Sequence, residues 1–113
     1  MKPWYRRVLP LLAFAGSLAF STQALAAGTW ETPKVIQEFI DYGDMVEIRA
    51  SGNWIDPASC GNAFGARVND PVRVDGFRKT LLAAFLSGKP VKIKVDNVVC
   101  HDGYPTFYAI SVE

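Results

Sequence analysis

The chain has few of the residue types that usually carry catalysis or hold metals. It contains one histidine and two cysteines among 113 residues. A protein metal site needs three or four ligands that converge on one point. Here Cys100, His101 and Asp102 are consecutive, so their side chains cannot all point to the same side of a strand. We therefore predict no metal site and no cofactor, and we expect His101 to be an exposed loop residue.

Other signatures of an enzyme are missing as well. There is no glycine-rich phosphate-binding motif. A cysteine nucleophile would require Cys60 to be free and to have His101 as its base, but the two cysteines are expected to bond to each other if the domain is exported. No spacing pairs two carboxylates for acid–base catalysis, and the acids that could be considered read as turn residues: Asp41, Asp44, Asp56 and Asp102. The sequence predicts a protein that is not an enzyme.

Long hydrophobic runs are also absent, since the apolar stretch from Val8 to Phe20 has only 13 residues. A membrane-spanning helix needs about 20. Positive charges precede the stretch, and the small-x-small pattern of residues 24–26 follows it, which is typical of a secretory signal peptide. We predict a signal peptide over residues 1–26, cleaved after Ala26 or Ala27, export through the Sec pathway, and a periplasmic or secreted single domain over residues 27–113.

The charge of this predicted domain excludes some partners. Its nine basic and eleven acidic residues give a net charge of −2, so nothing indicates binding to nucleic acid or to an anionic membrane surface. The charges are segregated along the chain. Six acids accompany two bases over residues 31–56, whereas seven bases accompany two acids over residues 67–94. Either a solvated mixed surface or head-to-tail packing of identical subunits would fit this pattern.

Hydrophobic periodicity predicts five strands and one helix. Residues 34–50 read as a hairpin whose first arm has apolar residues on both faces, as in a strand that bends and serves two sheets. Further short strands are predicted over residues 63–68, 91–95 and 107–112, with loops over 51–62 and 96–105. The helix is predicted from Gly76 to Ser87, with Asp75 as N-cap and Gly88 as C-cap.

This order of elements predicts a mainly β fold, a five-stranded OB-fold-like Greek-key barrel with one α-helix between strands 3 and 4. An open α+β sandwich is the alternative. In the OB-fold the third and fifth strands are parallel neighbours, so their starting ends meet. Cys60 precedes the third predicted strand and Cys100 precedes the fifth. We therefore predict a disulfide between Cys60 and Cys100.

The aromatic residues divide into two groups. The phenylalanines of the predicted elements are expected in the core: Phe39, Phe64, Phe77, Phe85 and Phe107. The others fall in predicted loops or near the start of the domain: Trp30, Tyr42, Trp54 and Tyr104. Loop aromatics of this kind can stack on sugar rings, contact another subunit, or pack locally, and Trp30 can cover an exposed edge of the core.

One segment resembles a known family. The sequence from Leu81 to Ile93, LLAAFLSGKPVKI, with Cys60 before it and Cys100 after it, resembles the B subunit of subtilase cytotoxin and its small periplasmic relatives. The resemblance implies an OB-fold, assembly as a homo-oligomeric pentamer, a toxic catalytic partner subunit (an AB5 toxin) and binding of sialylated cell-surface glycans. In those toxin subunits a serine just ahead of the first strand contacts the sugar, and Thr32 is its nearest match.

The candidate ligand-binding residues are therefore Thr32, Tyr42, Trp54 and Tyr104. A rival interpretation is a stand-alone periplasmic structural or interaction protein without a toxin role. A third is an inhibitor or modulator of an exported enzyme.

Overall fold

Six β-strands and one α-helix make up residues 27–113, the part of the chain that this computed structural model describes. The predicted signal peptide over residues 1–26 lies outside the described residues. The elements are, in chain order, β1 (Gly28–Trp30), β2 (Lys34–Asp41), β3 (Val46–Ala50), β4 (Ala66–Val68), α1 (Val74–Ser87), β5 (Pro90–His101) and β6 (Tyr104–Val112). No helix in this range has both the length and the hydrophobicity required to cross a bilayer.

Five of the strands close into a barrel. Neighbouring strands follow the order β2, β3, β4, β6, β5 and back to β2, with α1 between β4 and β5 in the chain. All pairs are antiparallel except β4 and β6, which are parallel and meet at Arg67 and Thr106. This is the connectivity of the OB-fold, and it confirms the predicted barrel over the open sandwich.

The hairpin of β2 and β3 has the predicted bend. β2 pairs with β5 near Lys34 and with β3 from Ile36 onward, and the β2–β3 register shifts between Ile36 and Glu38. A bulge of this kind turns a strand from one sheet into another. The apolar residues on both faces of β2 are therefore explained by this bend, as predicted, because the strand pairs with both β3 and β5.

The strand β1 was not predicted. Its three residues pair with β5, where Trp30 lies opposite Lys94, and the pairing continues the line of β2 along the same strand. A three-residue strand is too short to show an alternating pattern. The addition of β1 lengthens the outer surface of β5 without changing the barrel.

The core is filled by alternate residues of the strands and by one side of α1. On β5, Val91, Ile93 and Val95 are buried, as the alternation predicted, and Leu81 and Ala84 of α1 pack among them. Phe107 is buried in the core, as predicted. Three other phenylalanines that were expected in the core are partly buried and pack against the core cluster: Phe39, Phe77 and Phe85. The prediction for Phe64 is wrong, because this residue is 44% exposed on the outside of the barrel.

Two predicted boundaries also differ. The helix begins at Val74 rather than Gly76, so Asp75 is not its N-cap but lies in the first turn, where it forms an ion pair with Arg78. Gly88 is the left-handed C-cap, as predicted. The loop predicted over residues 96–105 is instead the end of the β5–β6 hairpin.

The predicted disulfide is confirmed. Cys60 and Cys100 are bonded, with their Cα atoms 5.7 Å apart. The bond ties the loop before β4 to the end of β5, next to the turn of the β5–β6 hairpin, so it fixes the end of the barrel at which β4 and β6 begin.

Candidate functional site

A carboxylate is buried on the outside of the barrel. Val46 and Ile48 of β3 point into the core, so Glu47 between them points outward. Its side chain is nevertheless completely buried. Gly65, the residue directly before β4, leaves room for it, since a Cβ atom there would lie only 2.7 Å from Glu47 Oε2. The sequence thus places a charge under a cover of side chains instead of in water.

Two arginines compensate this charge. Arg49 Nε lies 2.6 Å from Glu47 Oε2, and Arg67 Nε lies 2.8 Å from Glu47 Oε1. The hydrogen bond to Glu47 raises the pKa of Arg49 from its ordinary value, against the opposing effect of burial. A buried carboxylate is stable in a protein only when it is paired and hydrogen-bonded in this way. About a third of the Arg49 side chain remains exposed, whereas that of Arg67 is almost entirely covered.

Aromatic rings form the cover. The guanidinium carbon of Arg67 lies 3.6 Å from the centroid of the Tyr104 ring and 5.7 Å from that of Tyr42. Arg49 lies 4.9 Å from the centroid of Phe64, which meets Tyr104 edge to face at 5.3 Å. We call this surface the aromatic face: Tyr42, Arg49, Phe64, Arg67 and Tyr104.

His101 supports the aromatic face from one side. Its Nδ1 lies 3.2 Å from Nη1 of Arg67, and Asp102 Oδ2 lies 3.8 Å from the same two atoms. Because arginine nitrogens only donate hydrogen bonds, we assign Nδ1 as the acceptor and the proton to Nε2. The expectation of an exposed loop residue is wrong: His101 ends β5 and is partly buried.

The position of the aromatic face in the barrel is the one that OB-folds use for ligands. β3 and β4 are the second and third barrel strands, and they carry Glu47, Arg49 and Arg67. Tyr42 lies in the turn after the first barrel strand, and Tyr104 directly follows the turn before the last one. Strands 2 and 3 of an OB-fold, together with these two turns, bind oligosaccharides and oligonucleotides. Half-exposed rings beside a guanidinium can stack on a planar or sugar ring and hold an anionic substituent.

Two of the four predicted ligand-binding residues therefore come together, and two do not. The rings of Tyr42 and Tyr104 both lie beside the guanidinium of Arg67. Trp54 is only 2% exposed and donates from Nε1 to the carbonyl oxygen of Ile48 at 3.1 Å, so it belongs to the core and presents no face to a ligand.

Thr32 lies between β1 and β2. Its backbone nitrogen donates to Glu31 Oε1 at 2.8 Å, and its hydroxyl lies 3.2 Å from the same oxygen. The other carboxylate oxygen of Glu31 accepts from the backbone nitrogen of Ile55 at 2.6 Å. These contacts anchor the segment to the loop of Trp54, and none of them involves the aromatic face.

Three charged residues of this site were not predicted from the sequence: Glu47, Arg49 and Arg67. A sequence pattern nevertheless marks two of them. The alternation over residues 45–50 puts Glu47 and Arg49 on the same outer side of one strand. The described residues contain no group of three or more His, Cys, Asp or Glu that could hold a metal ion.

Comparison with known proteins supports the fold. No model of a protein family matches the chain, and no curated protein matches it. A solved structure with a similar fold is the cholera toxin-like B-subunit from Citrobacter freundii, at a TM-score of 0.55 and 21% sequence identity. The match covers 77% of this chain and 85% of that chain. The protein thus has the OB-type fold of a toxin B-subunit.

Proposed function

We propose that this protein is an exported, non-enzymatic binding subunit that recognises sialylated cell-surface glycans with its aromatic face. The observation that carries the proposal is the convergence of Tyr42 and Tyr104 on Arg67, at the ligand-binding side of an OB-fold. The rings offer stacking surfaces for sugars. The exposed part of the Arg49 guanidinium can pair with a sugar carboxylate through charge-assisted hydrogen bonds.

Export and assembly are part of the same proposal. A disulfide in a domain this small fits an oxidising compartment outside the cytoplasm. The similarity of the fold to a toxin B-subunit supports a homo-oligomeric ring, with a pentamer as the expected form and a toxic catalytic subunit as its partner. Several identical faces on one ring would strengthen the binding of multivalent glycans by avidity.

A second candidate is a stand-alone periplasmic interaction protein. It is favoured by the exposure of Tyr42 and Phe64, which are 50% and 44% exposed, because aromatic residues and arginine are enriched at protein interfaces. In that case the aromatic face would contact another protein rather than a glycan.

The test is a glycan array with the purified exported protein, together with its mass in solution. We expect binding to sialylated glycans, loss of binding to their desialylated forms, and a mass several times that of the monomer. Arg49→Gln should weaken glycan binding at least tenfold, because it removes the cation that faces solvent. Lys79→Gln, on α1, is the control and should leave binding unchanged. A monomeric protein without hits on the array would instead support the interaction protein.

A further inference from the structure

A second face of the barrel combines an exposed ring with uncompensated positive charge. Val91, Ile93 and Val95 point into the core, so Lys92 and Lys94 point outward from β5. Trp30, on β1, lies opposite Lys94 and is 45% exposed. We call this surface the lysine–tryptophan face: Trp30, Lys92, Lys94 and Tyr108.

The ammonium groups of Lys92 and Lys94 both lie near the indole ring of Trp30. Lys92 Nζ lies 5.6 Å from the centroid of the Trp30 ring, and Lys94 Nζ lies 6.0 Å from it. Lys94 Nζ also lies 5.8 Å from the centroid of Tyr108. A cation–π contact at an exposed site contributes about 0.5–1 kcal/mol, which is enough to orient these side chains but leaves their charge unneutralised.

No carboxylate balances the two charges. Among residues 27–113, none lies within 4 Å of either ammonium group. The acids that follow on the same strands have other partners. Asp96 accepts from the backbone nitrogens of Val98 and Val99, and Glu113 accepts from the hydroxyl of Ser111. Two like charges held around one ring repel each other, so an anion bound between them would be favoured.

We propose that the lysine–tryptophan face binds a sulfated oligosaccharide. Residues two apart on an extended strand lie about 7 Å from each other, so the two lysines can each take one anionic group of a saccharide chain. Lysine is a compact point charge, which suits a sulfate that need not be held in one orientation. The exposed part of the indole offers an apolar surface to the sugar ring between the anions.

The surroundings favour a chain rather than an isolated ion. Beside Tyr108 lies an open cavity of about 430 Å³ whose lining includes Arg73 and Thr106 but also Asp70 and Asp96, so it offers space for an uncharged sugar unit of the chain rather than for a further sulfate. The core of a protein interface is mostly apolar and depleted of lysine, whereas here two lysines flank the exposed indole. The proposal does not depend on the aromatic face, which shares only β6 with the lysine–tryptophan face, through Tyr104.

The test is calorimetric titration of the purified exported protein with a heparin hexasaccharide. The comparison ligand is a hexasaccharide of the same backbone that carries carboxylates but no sulfates. We expect binding of the sulfated probe alone, and a change in the fluorescence of Trp30 that is absent in Trp30→Phe. The double variant Lys92→Gln/Lys94→Gln should bind at least tenfold more weakly.

The matched control is Lys79→Gln/Lys89→Gln, which removes the same charge from the groove beside α1. It should stay within twofold of the parent protein. An equal loss in both double variants, or equal affinity for the unsulfated probe, would overturn the proposal. So would binding to phosphatidylglycerol vesicles that depends on Lys92 and Lys94 while the heparin probe does not bind. Thermal unfolding of each variant shows that the fold is retained.

Discussion

Glu47 and Arg67 form an ion pair on the outer side of the barrel, with Oε1 and Nε 2.8 Å apart, although the Glu47 side chain has no contact with solvent. The strand period sends Glu47 away from the core, and the rings and arginines of the aromatic face then bury it. Under the proposed function, stability and ligand recognition would thus depend on the same charges. Removing one partner would leave another charge buried without compensation.

The first prediction concerns the buried carboxylate. Glu47→Gln keeps the size of the side chain but removes the negative charge between Arg49 and Arg67. We expect a loss of about 3–5 kcal/mol in the free energy of unfolding, the range for breaking a buried ion pair. Urea denaturation measures the loss. The control is Glu38→Gln, which removes a solvent-exposed carboxylate 3.8 Å from Arg49 and should cost less than about 1 kcal/mol. Equal effects of the two variants would show that Glu47 is not buried as described.

The second prediction uses two glycines with different surroundings. Gly65→Ala would place a Cβ atom 2.7 Å from Glu47 Oε2, and that oxygen is held by Arg49. We expect a loss of about 1–3 kcal/mol, as in other overpacked sites. Gly76→Ala, in α1, meets no atom within 4 Å. It should stabilise the protein by about 0.5–1 kcal/mol, because alanine favours the helix. Denaturation midpoints measure both, and a loss of stability in Gly76→Ala would contradict the structure.

The sequence was sufficient for the barrel because its elements have strong local signals. Val91 to Val95 alternates cleanly, and Gly88 with Pro90 marks the end of the helix. The outer side of the barrel was harder to predict, because burial there is a tertiary effect. In the sequence Glu47 resembles any exposed strand residue, because Arg67 and Tyr104, which help to bury it, come from distant parts of the chain.

The burial of Trp54 was not predicted for the same reason, because it too is a tertiary effect. Its neighbours are rich in turn residues, which predict an exposed loop, but this loop folds back over the barrel and carries the indole into the core. The turn residues between Asp96 and Pro105 predict a loop that contains His101, but the structure continues β5 through Asp96 and Asn97 as far as His101. Local composition does not reveal a long-range strand pairing.

The third prediction separates a core role of Trp54 from a ligand-binding role. Trp54→Phe removes the hydrogen bond to the Ile48 carbonyl and leaves unfilled space in the core. We expect a loss of about 2 kcal/mol in the free energy of unfolding. Glycan affinity measured on the folded variant should be unchanged. A variant of normal stability with weakened glycan binding would instead restore Trp54 as a ligand-binding residue.

The fourth prediction concerns the disulfide, which joins residues 40 positions apart. In the chain-entropy model, opening a loop of this length lowers stability by about 4 kcal/mol. For a domain of this size each kcal/mol corresponds to about 4–8 °C, so reduction with a phosphine should lower the Tm by about 15 °C or more. The variant Cys60→Ala/Cys100→Ala should show the same lowered Tm and no response to the reductant, which makes it the matched control.

The loss of stability on opening the disulfide should be largest at one end of the barrel. Cys100 directly precedes His101, whose Nδ1 contacts Arg67 under the ring of Tyr104. Opening the bond frees the end of the β5–β6 hairpin, so amide hydrogen exchange should rise first at residues 100–104 and in the loop over residues 56–62. The lysine–tryptophan face is built mainly from other parts of β5 and β6 and should keep its protection longer. Uniform acceleration throughout residues 27–113 would show that the disulfide stabilises the barrel as one unit, with no special effect on the aromatic face.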